Sequence, residues 1–180
     1  QASWIDAVTA PRQPGSTLKP FVYALALEKG WSPATIIDDA PLSETVGNGL
    51  HVYNNYSRIH YGKLPLRQCL GNSLNIPALK ALRFIGVQNF LACLKNIGIK
   101  SLEKQPDFYG DGLVLGNGEV TLFELVQAYA TLASQGLFMP LKMISNEIPD
   151  TGERVRVFSP EAASLIGNIL SDSNARRFEF

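Results

Sequence analysis

The chain has 180 residues, 46% of them hydrophobic, which is enough for one good core and argues against two independent domains. Sixteen acidic residues balance sixteen basic ones, so no field of one sign attracts nucleic acid, and we expect no nucleic-acid partner. Purely apolar runs such as residues 21–27 are far shorter than the ~20 residues that span a bilayer, so any anchor or targeting signal would lie outside this sequence.

The first predicted helix follows a loop. Residues 1–15 contain two prolines and a glycine near their end and have no hydrophobic period, which predicts a loop. An apolar pattern then predicts a helix from about Ser16 to Lys29, ended by Gly30. Residues 31–63 are turn-rich and aromatic. They predict a long functional loop region with no long element of its own.

Short helical segments follow. The apolar pattern predicts helices over residues 66–70, 77–85 and 87–97, separated by Gly71 and Gly86. Pro65 and Pro77 suit the first helical positions of the first two. Residues 105–120 carry four glycines and are predicted to form a loop.

The last third of the chain mixes helices with the one convincing strand signal. Thr121 and Glu124 have the spacing of a capping box and predict a helix that ends at Gly136. Residues 141–148 and 154–158 predict a small hairpin around the turn Asp150-Thr151-Gly152. A final helix is predicted from Ser159-Pro160-Glu161, with Ala162, Leu165, Ile166 and Ile169 on its buried face.

The two cysteines, Cys69 and Cys93, lie among apolar residues in helical segments, which predicts buried thiols. A single disulfide between them is the alternative, although two cysteines are fewer than a disulfide-stabilised secreted domain normally has. The redox compartment stays open.

Ser16 and Lys19 are the residues best placed for chemistry. Three positions apart at a helix start, they share one face, and a lysine whose pKa is lowered by burial can take the proton of a serine nucleophile. The alternative is that Ser16 only caps the helix. Ser101 and Lys104 have the same spacing, but no glycine-bearing loop precedes them and no apolar helix follows, so we expect a solvated turn there.

Two short strings resemble one known family. Residues 12–21, Arg-Gln-Pro-Gly-Ser-Thr-Leu-Lys-Pro-Phe, resemble the nucleophile motif of class A penicillin-binding proteins. Ser73-Leu74-Asn75 resembles the second motif of that family, with leucine in place of aspartate. The resemblance extends over most of the chain, through residues 113–136 and 159–172, and is strongest to the penicillin-binding protein 1C type of Gram-negative bacteria.

The resemblance implies a fold class and a domain. The fold would be α+β and β-lactamase/transpeptidase-like, with this segment mainly α-helical, one small β-hairpin, and most of the central sheet missing. Residues 1–180 would form a partial transpeptidase domain, of which the first strands and the strand of the third motif are absent.

The resemblance also implies a function, that of a peptidoglycan D,D-transpeptidase acting through a serine acyl-enzyme. Ser16 would be the nucleophile and Lys19 the base, while Ser73 would relay protons and bind substrate. Asn75 would bind both Lys19 and the substrate amide. The partners implied are peptidoglycan stem peptides and β-lactam antibiotics. A D,D-carboxypeptidase, a β-lactamase-like hydrolase, or a non-catalytic helical interaction module are the alternatives.

The third motif of the family is missing, because no lysine in the chain is followed by Thr-Gly or Ser-Gly. That motif supplies the clamp for the substrate carboxylate and an oxyanion donor, so we expect little or no activity from residues 1–180 alone. The missing strands should expose apolar surface and favour self-association. The intact parent would also carry a glycosyltransferase domain and an N-terminal membrane helix, on the periplasmic face of the inner membrane.

We expect no cofactor and no metal. His51 and His60 lack the cysteine or carboxylate spacing of a metal site. Asp150-Thr151-Gly152 matches the aspartic protease triplet, but it occurs once and in a polar turn, so a turn role is predicted.

Overall fold

A computed structural model describes residues 5–46, 49–141 and 154–180 of the protein. These ranges contain seven α-helices: Lys19–Glu28 (α1), Leu66–Gly71 (α2), Asn75–Ile85 (α3), Val87–Asn96 (α4), Pro106–Tyr109 (α5), Leu122–Ala133 (α6) and Pro160–Ser171 (α7). They also contain three short 3-10 helices: Gly15–Leu18, Gly110–Leu115 and Ser173–Arg176.

The described strands form three antiparallel pairs. The pairs are Ile36–Asp39 (β1) with Gly62–Pro65 (β4), Leu42–Val46 (β2) with Gly49–Tyr53 (β3), and Leu137–Phe138 (β5) with Val155–Arg156 (β6). The mainly helical α+β character predicted from the sequence is therefore present, but with three small sheets in place of one hairpin.

The prediction of a long loop over residues 31–63 is wrong, because β1, β2, β3 and the start of β4 lie there. β1 is only four residues long, and its partner β4 is separated from it by both other strands of this region. Alternation over so few residues gives a weak periodic signal, and pairing between distant segments leaves no local signature.

The prediction of a loop over residues 105–120 is also wrong in part. Pro106 opens α5, and the 3-10 helix Gly110–Leu115 follows it despite its glycines. Leu113 and Val114 in that 3-10 helix are fully buried and belong to the main core. Tertiary packing has therefore outweighed the low helix propensity of glycine.

The predicted hairpin is found at a different position. β5 lies before the predicted first strand and pairs with β6, which lies inside the predicted second strand. Residues 142–153, which include most of the predicted first strand and the Asp150-Thr151-Gly152 turn, lie outside the described residues.

The core is built around α1. Its sequence is apolar on nearly every side, and its residues from Lys19 to Ala24 and Ala26 are buried. A helix that is apolar all round belongs in the interior, and α1 contacts both α3 and α7.

The predicted final helix is confirmed: Ser159 caps α7 by accepting a hydrogen bond from the Ala162 N–H at 3.1 Å, and Ile166 and Ile169 are buried.

The prediction of buried thiols is confirmed. Cys69 and Cys93 are free and buried, and burial raises the pKa of each to about 12.

Within the described ranges no helix has both the length and the apolar character needed to cross a membrane.

The predicted capping box at α6 is confirmed. Thr121 Oγ1 accepts a hydrogen bond from the Glu124 N–H at 3.1 Å, and a Glu124 carboxylate oxygen accepts one from the Thr121 N–H at 3.0 Å. The same carboxylate also accepts the Ser101 hydroxyl at 2.6 Å. Ser101 thus supports the start of α6 instead of forming a second serine-lysine site.

Replacing Thr121 by alanine should therefore lower the free energy of unfolding by about 1 kcal/mol, the usual cost of a lost N-cap. Denaturant unfolding measures the change. Thr9→Ala is the control, because the one hydrogen bond of the Thr9 hydroxyl among the described residues goes to the exposed carboxylate of Asp6. Such surface changes alter stability by less than about 0.5 kcal/mol. Equal losses in the two variants would contradict a stabilising role of the cap.

Candidate active site

The amine of Lys19 is the centre of the candidate site. Lys19 is the first residue of α1 and its side chain is buried, with 1% of the residue exposed. Nζ donates to the backbone oxygen of Ser73, to Ser73 Oγ at 3.2 Å and to Asn75 Oδ1 at 2.7 Å. Three acceptors match the three hydrogens of an ammonium group.

Burial lowers the pKa of Lys19 from 10.5 to about 7, although the negative charge of Glu179 opposes this shift. A lysine with this pKa is a mixture of amine and ammonium at neutral pH. When it is neutral, Nζ has a lone pair, and the Ser73 hydroxyl can reverse its hydrogen bond and donate to it. The pair can therefore pass a proton in either direction.

Ser73 lies in the turn between α2 and α3, in a backbone conformation that serine rarely adopts. Its φ is +54°, and the Ser73 and Leu74 N–H groups bond back to the carbonyls of Leu70 and Cys69 at 2.9 and 3.0 Å. This is the helix-ending arrangement in which glycine normally occupies the left-handed position. A serine there costs about 1–2 kcal/mol, and in this conformation both its carbonyl and its hydroxyl face Lys19.

Asn75 is the first residue of α3, and the oxygen and the nitrogen of its side-chain amide each make one hydrogen bond. Oδ1 accepts from Lys19, and Nδ2 donates to the backbone oxygen of Asn54 at 2.7 Å. The sequence predicted a loop position for Ser73 and Asn75 and a helix starting at Pro77; Ser73 is in that loop, but α3 begins two residues earlier and includes Asn75.

Ser16 lies in the 3-10 helix that precedes α1 and is exposed. It lines a cavity of about 360 Å³ together with Ser73, Asn75, Asn55 and Glu179. The structure thus brings three of the four predicted site residues to one cavity and buries the fourth, Lys19, against two of them. In the described ranges the Ser16 hydroxyl makes no hydrogen bond, so the hydrogen bond to Lys19 that the spacing allows is not formed.

The loop that carries Ser16 is held in place by backbone and side-chain contacts with residues 116–129. The Arg12 N–H donates to the Val120 carbonyl and the Val120 N–H to the Arg12 carbonyl, both at 2.9 Å. The Tyr129 hydroxyl donates to the carbonyl of Thr17 at 2.9 Å. Gly116 meets Gly15 so closely that a Cβ on Gly116 would lie 2.2 Å from the Gly15 nitrogen.

Glu179 is a charged neighbour of the site that no sequence pattern predicts. Buried Asn72 accepts the Glu179 N–H at 3.1 Å, and Ser57 and Tyr61 donate their hydroxyls to the Glu179 carboxylate at 2.5 and 3.0 Å. Asn55 and Asp39 were not predicted as site residues either. All of these contacts join segments that are far apart in sequence, and no motif marks them.

Metal ligation finds no support in the described part of the chain, where no group of three or more histidine, cysteine, aspartate or glutamate side chains could hold an ion. The side chain of His51 lies outside the described residues, and among those residues the buried Nδ1 of His60 has no hydrogen-bond partner.

Solved structures share this fold. Penicillin-binding protein 1A from Haemophilus influenzae is similar with a TM-score of 0.74 and 27% identity, over 92% of this chain and 30% of that one. The TP domain of penicillin-binding protein 3 from Burkholderia pseudomallei has a TM-score of 0.74 at 22% identity, over 91% of this chain and 54% of that one. The second likeness concerns the fold alone. The fold class is therefore the transpeptidase-like one that the sequence predicted.

Sequence comparison gives the family. The model described as penicillin binding protein transpeptidase domain matches residues 3–177. Penicillin-binding protein 1A of Neisseria meningitidis serogroup A is 34% identical over 83% of this chain, and penicillin-binding protein 1C of Escherichia coli K12 is 32% identical over 93%. The chain belongs to the penicillin-binding protein transpeptidase family. It spans 19% and 21% of those two relatives, and the two identities do not separate the 1A type from the 1C type.

A Gly116→Ala substitution should be far more costly than Gly30→Ala. Both glycines have positive φ, +81° and +99°, but an added Cβ meets Gly15 at the first position and open space at the second. We expect Gly30→Ala to cost about 1–2 kcal/mol for the backbone conformation, and Gly116→Ala to cost about 2 kcal/mol more from overlap. Denaturant unfolding compares them, and equal costs would show that the close approach is unimportant.

The low pKa of Lys19 also predicts a pH dependence of stability. Between a folded-state pKa of about 7 and the ordinary value of 10.5, the unfolded chain holds a proton that the folded chain has lost, so stability rises with pH in this window. From about pH 7 to about pH 8, which is one unit below the ordinary thiol pKa of 9.0, the unfolding free energy should rise by up to ~1.4 kcal/mol per pH unit.

Denaturant titrations at several pH values measure this slope in the wild type and in Lys19→Met, which should lack it. Lys95→Met removes an exposed lysine of α4 and should keep the slope of the wild type. A slope that survives in Lys19→Met would assign it to another group.

Proposed function

We propose that the protein is a peptidoglycan D,D-transpeptidase, a serine acyltransferase that cross-links stem peptides. The observation that carries this proposal is the buried Lys19 amine, with its pKa of about 7, bonded to Ser73 and Asn75 at the wall of the cavity that Ser16 lines. Membership of the transpeptidase family and the names of the similar proteins support the same reaction.

In the first half-reaction, Ser16 Oγ attacks the carbonyl carbon between the two terminal D-alanines of a stem peptide. The proton of the hydroxyl passes to neutral Lys19, the C–N bond breaks, and the proton reaches the leaving amine through the Ser73 hydroxyl. The last D-alanine leaves, and an ester joins the rest of the stem to Ser16. For the first step Ser16 must turn toward Lys19 when substrate binds.

In the second half-reaction, an amine of a neighbouring stem attacks the ester carbonyl. Its proton returns by Ser73 and Lys19 to Ser16 Oγ as the C–O bond breaks, which frees the enzyme. Asn75, held by Lys19 on one side and by the Asn54 carbonyl on the other, would contact the amide of the bound stem peptide. A β-lactam would acylate the same serine.

We propose further that these residues are one part of a longer transpeptidase domain, since the matched relatives are about five times as long. The strand with the third motif would lie elsewhere in the whole protein, which would also carry a glycosyltransferase domain and a membrane anchor at the periplasmic face of the inner membrane. Residues 1–180 alone should then have little activity. Self-association of this chain stays a prediction, supported by the half-exposed Leu122 and Val126 on one side of α6.

A fluorescent penicillin tests the proposal on the whole protein. It should form a stable ester with the wild type and with Ser101→Ala, because Ser101 is bonded to Glu124 away from the site. Ser16→Ala should show no labelling. Labelling of Ser16→Ala would overturn the assignment of the nucleophile, and rapid release of the hydrolysed penicillin would favour the hydrolase alternative over transpeptidation.

A further inference from the structure

A buried hydrogen-bonded chain lies behind Asn75 and begins at Asp39. Asp39, the last residue of β1, is fully buried, and within the described ranges no salt bridge joins it to a cation. Its carboxylate accepts the Tyr61 N–H at 2.9 Å and the Asn55 Nδ2 at 3.0 and 2.8 Å. Both carboxylate oxygens therefore act as acceptors, and the groups that face them are donors.

Asp39 therefore fixes the orientation of the Asn55 amide. Asn55 is 3% exposed, and its Nδ2 also donates to the Ile59 carbonyl at 2.8 Å. With both amide hydrogens used on these acceptors, the other end of the amide, Oδ1, must point away from Asp39. It accepts the backbone N–H of Asn75 at 2.8 Å.

This last bond supplies the cap that α3 lacks locally. The residue before α3 is Leu74, whose side chain cannot accept a hydrogen bond, and the first N–H groups of a helix have no partner within the helix. Asn55 provides an acceptor from 20 residues away, and its neighbour Asn54 provides the carbonyl that binds Asn75 Nδ2. Both the backbone and the side chain of Asn75 are thus held by one short loop.

These bonds also affect the position of Asn75 relative to the Lys19 amine. Asn75 Oδ1 makes the 2.7 Å contact with Lys19, and its direction depends on where Nδ2 and the start of α3 are held. We propose that Asn55, oriented by the buried Asp39 carboxylate, is a positioning residue that sets the place of Asn75 against the Lys19 base. The catalytic part of this inference rests on the transpeptidase function proposed above, whereas the structural part does not.

An exchange of donor and acceptor tests the chain of bonds. Asn55→Asp sets two carboxylates against each other, and Asp39→Asn presents an amide that must accept from both Tyr61 and Asn55. The double variant keeps the net charge and lets the amide at 39 donate to the carboxylate at 55, which can still accept the Asn75 N–H. The hydrogen bond to the Ile59 carbonyl is lost, and the carboxylate oxygen that replaces Asn55 Nδ2 has to move away from that carbonyl.

Acylation of Ser16 by a fluorescent penicillin, in the whole protein, is the functional readout. Each single variant should slow acylation by about ten-fold or more, and the double variant should recover to within about three-fold of the wild type. Asp38→Asn, at the exposed neighbour of Asp39, and Asn96→Asp, at the exposed end of α4, are matched controls that should react at the wild-type rate. A double variant no faster than the slower single variant would overturn the proposal.

A second readout does not need activity. In the 180-residue chain, hydrogen exchange of the Asn75 backbone amide should become about ten-fold faster in Asn55→Ala, because its acceptor is removed. The Glu124 amide, capped by Thr121 far from this loop, should exchange as in the wild type and so report that the chain is folded. Unchanged exchange at Asn75 in a folded Asn55→Ala would overturn the structural part of the proposal.

The two readouts separate the two proposals. If wild-type Ser16 is never acylated but the Asn75 amide is exposed in Asn55→Ala, the transpeptidase function fails and the positioning of Asn75 by Asn55 stands. If Ser16 is acylated in the wild type and Asn55→Asp reacts equally fast, the function stands and the role of Asn55 fails.

Discussion

The burial of the Lys19 amine is the constraint on which this site depends. Burying the charge of Lys19 is unfavourable, and the fold compensates by surrounding Nζ with oxygen atoms from Ser73 and Asn75. The compensation is incomplete, which is why the pKa falls to about 7. A lysine whose charge was fully compensated, for instance by a bonded carboxylate, would be a poor base, and one without hydrogen bonds would have no fixed position, so the reactivity depends on partial compensation by neutral acceptors.

The turn between α2 and α3 shows what this arrangement requires of the backbone. A glycine at position 73 would relax the left-handed conformation, but it would remove the hydroxyl that faces Lys19. A serine with φ of +54° keeps the hydroxyl at a cost in stability. The bonds from Ser73 and Leu74 back to α2 hold that conformation in place. Strain of this kind, located at the residue with the proposed proton-relay role, is typical of functional sites.

Features encoded within a few residues could be predicted from the sequence, and those that join distant segments could not. The capping box of Thr121 and the start of α7 depend on neighbours three positions apart, and both were predicted correctly. The spacing of Ser16 and Lys19 indicated a site, but only the family resemblance added Ser73 and Asn75. The β1–β4 pairing and the bond from Asn55 to Asn75 connect segments about twenty or more residues apart, and neither leaves a periodic or capping signal.

The two shielded sulfur atoms have a practical consequence for studying how this fold opens. Since Cys69 and Cys93 are buried in the core that α1 organises, a thiol reagent can modify them only in molecules that have loosened transiently. The rate at which each thiol is modified therefore measures how often the structure around it opens. Cys69 lies in α2, a few residues before the strained turn, and Cys93 lies in α4. The modification rate of Cys69 would therefore report opening near the site, and that of Cys93 would report opening around α4.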